Sequence, residues 1–72
     1  MENYTVKKLR MDLALSIKEQ EKLREEYVDN RLEHPFDKYL LDQLRHNLKV
    51  KTEYIIQLKA ELETYQLEFL FG

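Results

Sequence analysis

Histidine occurs twice in the 72 residues, serine once, and cysteine not at all. His46 follows Asp42 by four residues, a spacing that sets two side chains on one helix face, where they could share a cation. Two donors do not complete a metal site, and thiolate ligands are excluded outright. Ser16 has neither His34 nor His46 in its own segment, which argues against a nucleophilic triad. Gly72 is the sole glycine, so no glycine-rich loop is available to cradle a phosphate. Carboxylates are plentiful, but on solvated helices they serve solubility. The residues therefore point away from catalysis: no cofactor, no metal and no small-molecule substrate is expected.

The elements that position these side chains follow from the single proline. Pro35 sits near the middle of the chain, with long stretches rich in Leu, Lys, Glu, Arg and Gln on either side, all good helix formers. Proline is tolerated in the first turn of a helix and disrupts an interior, and its ring pushes the preceding residue, His34, out of the α region. The sequence thus predicts one helix over about 5–31, capped by Asn3 or Thr5, a joint over about 30–35, and a second helix over about 36–70. Asp37 falls in the first turn of the second helix, facing the positive end of its dipole. At ~1.5 Å per residue the helices span roughly 40 and 50 Å. A short joint between them favours an antiparallel hairpin over a continuous rod. The fold class is all-α, one domain spanning 1–72.

Leu41, Leu44, Leu48, Lys51, Ile55, Leu58, Leu62, Tyr65 and Phe69 recur at alternating steps of three and four, mostly apolar, and form a heptad seam interrupted at Lys51. Phe36, Leu40, Val50 and Tyr54 make a second row beside it, which widens the face expected to be buried. The first helix is weaker. Its stripe of Val6, Leu9, Leu13, Ile17, Leu23 and Tyr27 is broken by Ser16 and Gln20. Polar residues at such inward positions, Lys51 and Gln20 among them, can set register and oligomeric state, and a lysine there can also snorkel outward.

The second helix thus offers more apolar surface than the first can cover. A lone hairpin of this size buries little against an ordering cost of roughly 1–2 kcal/mol per residue for the backbone. A second copy, forming a two-fold homodimeric four-helix bundle, or the groove of a larger protein would complete the core. Phe69, Leu70 and Phe71 are adjacent large apolar residues that one helix face cannot bury together. They are the first candidate for partner binding, with Val50, Tyr54 and Ile56 second; Leu41, Leu44, Leu48, Ile55, Leu58, Leu62 and Tyr65 are the expected helix-packing residues. The function expected is that of a non-enzymatic protein–protein interaction module, an adaptor, regulator or inhibitor of a larger protein.

The net charge of −2 lacks the basic excess of a dedicated nucleic-acid binder. A local basic band does exist, with Lys38, Arg45, His46, Lys49 and Lys51 between acidic stretches. Its expected role is to meet the acidic part of the first helix. As an alternative it would serve a small RNA-binding hairpin, similar to the plasmid-encoded repressor-of-primer bundle in architecture alone. Short bacterial helical-hairpin aspartyl-phosphate phosphatases are also similar in length and in having two unequal helices. Their mark is a Ser-Gln-Glu-Leu-Asp stretch on the second helix. The nearest segment here, Leu41-Asp42-Gln43-Leu44-Arg45, lacks the serine, the glutamate and the order, and leaves Asp42 and Gln43 as the residues by which that likeness is tested. Met11 to Ile17, behind Lys7, Lys8 and Arg10, is too short and too polar for a signal peptide, and no apolar run approaches a membrane span. A cytoplasmic setting is expected.

Overall fold

The computed structural model describes residues 4–71, with side chains through Gln66. Helix α1 runs Tyr4–Glu33 and helix α2 runs Lys38–Phe71. They lie side by side in an antiparallel hairpin 54 × 15 × 13 Å, and no strand occurs among the described residues. Thr5 lies inside α1 and so is not its cap, while Asn3 lies outside the described residues.

The reversal is tighter than the sequence suggests. The His34 amide still donates to the Asn30 carbonyl at 2.7 Å, extending the last turn of α1, and the Asp37 amide donates to the His34 carbonyl at 3.2 Å. His34-Pro35-Phe36-Asp37 is therefore a four-residue turn with proline at its second position, where its fixed φ is favoured. Pro35 belongs to this turn and not to the first turn of α2. Asp37 is the N-cap of α2: its Oδ1 accepts from the Leu40 amide at 3.1 Å and its carbonyl accepts from the Leu41 amide at 3.1 Å. The short aspartate side chain satisfies a helical donor that lacks an intrahelical partner.

Three side-chain bonds between the helices fix the register: Glu19 with Lys51, Gln20 with Thr52 and Tyr27 with Arg45. Carried along both helices, this register sets the α2 seam against an α1 seam at Val6, Leu9, Leu13, Ser16, Gln20, Leu23, Tyr27 and Asn30. The α1 seam has the same alternating three-and-four spacing, but three of its members are polar. Ser16, which interrupts the apolar stripe in sequence, is buried at 5% exposure, and Ile17 lies beside the seam, half-buried.

Burial is uneven along the hairpin. Leu9, Leu58 and Leu62 form the apolar core, with Val6, Leu13 and Tyr65 packed against it. Ile55, at 4% exposure, is also buried. Nearer the turn, Leu23, Leu41, Leu44 and Leu48 are only half-buried. The wide buried face expected for α2 does not form within one chain. Leu40 is half-buried, but Val50 and Tyr54 are exposed, and Phe36, at 94% exposure, stands almost wholly in water.

Candidate interaction surfaces

The centre of the hairpin is a polar layer. Gln20 Nε2 donates to Thr52 Oγ1 at 2.9 Å, and Thr52 Oγ1 donates to the Leu48 carbonyl at 2.8 Å. Lys51 leaves its seam position and extends sideways to Glu19, with its Nζ 5.7 Å from the centroid of the Tyr54 ring. The lysine stem thus covers the seam while its charge reaches the rim, as long basic side chains do. No buried side-chain nitrogen or oxygen among the described residues lacks a partner, so the layer is satisfied and does not point to a bound ion. No group of three or more acidic or histidine side chains among the described residues is placed to hold a metal. Asp42, Gln43 and His46 are all exposed.

Tyr27 and Arg45 bind the helices nearer the turn. Arg45 Nη2 donates to the Tyr27 hydroxyl at 3.0 Å, and the guanidinium carbon lies 5.8 Å from the ring centroid. This hydrogen bond, aided by the nearby positive charge, holds the Tyr27 phenol below its ordinary pKa of 10.0 and raises that of Arg45. A phenol, and not a carboxylate, is thus the cross-hairpin hydrogen-bond partner of this member of the basic band; Lys51 does meet an acid.

The expected packing residues divide into two classes: Ile55, Leu58 and Leu62 are buried, while Leu41, Leu44, Leu48 and Tyr65 are half-buried. Of the expected partner-binding residues, Val50, Tyr54 and Ile56 are exposed, Ile56 at 60%. They do not form one patch. Val50 and Tyr54 line a shallow groove with Asp12, Leu15, Ser16, Glu19 and Lys51. Ile56, two residues past Tyr54 and therefore roughly 200° around the helix, belongs to the opposite flank. The side chains of Phe69, Leu70 and Phe71 lie outside the described residues. A further apolar group, Leu32, Phe36 and Tyr39, is exposed around the turn. Phe36 and Tyr39 sit in or beside the turn, where the helices of the hairpin leave them uncovered.

The two flanks carry opposite charge, which counting along the sequence does not reveal. In an antiparallel pair, the residues following Leu9, Ser16, Leu23 and Asn30 of the α1 seam lie on the same flank as those following Leu44, Lys51, Leu58 and Tyr65 of the α2 seam. One flank therefore gathers Arg10, Ile17, Arg24 and Arg31 from α1 with Arg45, Thr52, Lys59 and Gln66 from α2. The other gathers Thr5, Asp12, Glu19, Glu26 and Glu33 with Leu40, Asn47, Tyr54 and Glu61. The first row holds no acid and the second no base. Farther out, the positive flank adds Lys7 and Lys49 with Glu21, Asp42 and Glu63; the negative adds Asp29 with Lys8 and Lys22. These outer rows are mixed and Lys51 reaches Glu19 on the negative side, so the charge of each flank lies mainly in the row beside the seam.

No helix among the described residues is long and apolar enough to cross a membrane. No protein-family model matches the chain, and no curated protein and no solved structure matches it either.

Proposed function

We propose that this hairpin works as a protein–protein interaction module, without chemistry of its own, and serves as an adaptor, regulator or inhibitor of a larger protein in the cytoplasm. One observation carries the reading: Leu15, Val50, Tyr54 and Ile56 remain exposed along the hairpin flanks, although each belongs to a helix already paired with its neighbour. Apolar side chains grouped beside a satisfied seam are contact surface in search of a partner. A second copy of the chain is the simplest such partner, and two hairpins side by side make a four-helix bundle. The alternative role, RNA binding through the basic band of α2, has less support, because Lys51 is engaged by Glu19 and Arg45 by Tyr27.

The test replaces Val50 and Ile56 with serine in one double variant. Both are exposed, so helicity by circular dichroism stays near that of the parent, while association measured by light scattering falls by about tenfold or more. Unchanged association in a folded double variant, with itself and with any purified partner, removes these residues from the contact surface and overturns the reading.

A further inference from the structure

The opposite charges of the two flanks decide how a second copy can dock. Each flank carries a charged border of one sign beside the seam, with apolar side chains interspersed in it and farther out. The negative flank holds Leu15, Val50 and Tyr54 among Asp12, Glu26, Glu33 and Glu61; the positive flank holds Ile17, Val28 and Ile56 among Arg24, Arg31, Arg45 and Lys59. A two-fold contact sets a flank against its own copy, so two surfaces of the same net sign face each other, the charge lying mainly along α1. Such juxtaposition is strongly unfavourable in an interface, whereas opposite borders steer and align the partners. A flank 54 Å long and 15 Å wide also matches the roughly 800 Å² per partner that specific interfaces bury.

We propose that copies of this chain associate heterologously, the positive flank of one hairpin docking on the negative flank of the next. The proposal rests on the interaction reading and adds to it the partner and the contact. It replaces the two-fold bundle with a head-to-tail one. In such a contact every pair still presents one unused flank of each sign, so assembly continues beyond the dimer, into a ring or an open array.

Two charge-reversed variants of the full chain test it. One carries Arg24→Glu, Arg31→Glu and Lys59→Glu; the other carries Glu26→Lys, Glu33→Lys and Glu61→Lys. All six positions are exposed, and circular dichroism confirms helicity before each measurement. In light scattering, the parent mass rises with concentration past twice 8.9 kDa, and association weakens about tenfold or more as salt screens the contact. Each variant alone stays monomeric, and an equimolar mixture of the two assembles again. A parent that stops at a dimer, with either variant still dimeric, overturns the heterologous contact while leaving the interaction reading intact. So does a helical monomer at every concentration, and the module reading then rests on a larger protein and the serine variant. Tight binding of an RNA oligonucleotide by the monomer, lost in the first variant alone, overturns the proposal in favour of a polyanion site.

Discussion

Gln20 on α1 donates a hydrogen bond to the Thr52 hydroxyl on α2, 2.9 Å away, and that hydroxyl in turn donates to the Leu48 carbonyl. The glutamine occupies a seam position that a leucine would fill better for stability alone. Beside it, Lys51 vacates its own seam position to reach Glu19. The polar layer therefore holds the two helices at one register while contributing little burial.

Replacing that layer separates stability from specificity. Gln20→Leu together with Lys51→Leu puts apolar side chains on both sides of the seam and raises stability by about 1–3 kcal/mol through the apolar area it buries, read as a higher midpoint in thermal unfolding. The same variant loses its single register, seen as more than one set of amide resonances in the helical chain. Lower stability in the double variant would show that the hydrogen bonds outweigh the burial they displace.

Truncation of the core is costly where burial is concentrated. Leu58→Ala lowers stability by about 2–4 kcal/mol, most of the roughly 3–5 kcal/mol that a core of this size supplies, and leaves a largely unfolded chain by circular dichroism. Leu15→Ala, on the exposed flank, changes the unfolding midpoint of the monomer little. Equal losses at the two positions would mean that the exposed flank is packed in solution.

The Asp37 cap accounts for the start of α2. Asp37→Ala removes the acceptor for the Leu40 amide and costs about 1 kcal/mol, while Asp37→Asn or Asp37→Ser restores most of it. Chemical denaturation of the three variants checks the order.

Tyr27 ionises earlier than an ordinary tyrosine because Arg45 donates to its hydroxyl. An acid whose folded pKa is lowered adds stability when it is ionised: the contribution is complete above the unfolded value of 10.0 and is lost as pH falls through the folded one. The shift therefore contributes no pH dependence near neutrality, where the neutral hydrogen bond already joins the helices, and adds further stability only in alkali. Phenolate absorbance should show Tyr27 titrating early, and Arg45→Met should return it to the ordinary range.

How much of this is legible in the sequence depends on the helix. The α2 seam is plain because Lys51 is its only charged member between Leu41 and Tyr65. The α1 seam is obscured, since Ser16, Gln20 and Asn30 occupy inward positions and the neighbouring Ile17 draws the apolar stripe off its true line. Only the opposite helix, with Thr52 placed to receive Gln20, shows why those polar residues face inward. Pro35 locates the reversal, but proline suits the second position of a turn as well as the first turn of a helix. The bond from the Leu40 amide to Asp37 decides between them. The flank charges escape any count along the chain because like residues stand seven apart with opposite charges between them.

The concentration of burial around Leu9, Leu58 and Leu62 also bears on how the hairpin forms. Those residues are distant in sequence and lie away from the turn, whereas the contacts easiest to make early, beside Pro35, involve half-buried or exposed side chains. Closing a long loop costs entropy before any burial compensates for it, so zipping upward from the turn meets little reward until the polar layer has been passed. The hairpin is a clip that fastens at its open end. Amide exchange should be fastest beside the turn and slowest around Leu58, and folding should be slower than the short connection between two helices would lead one to expect.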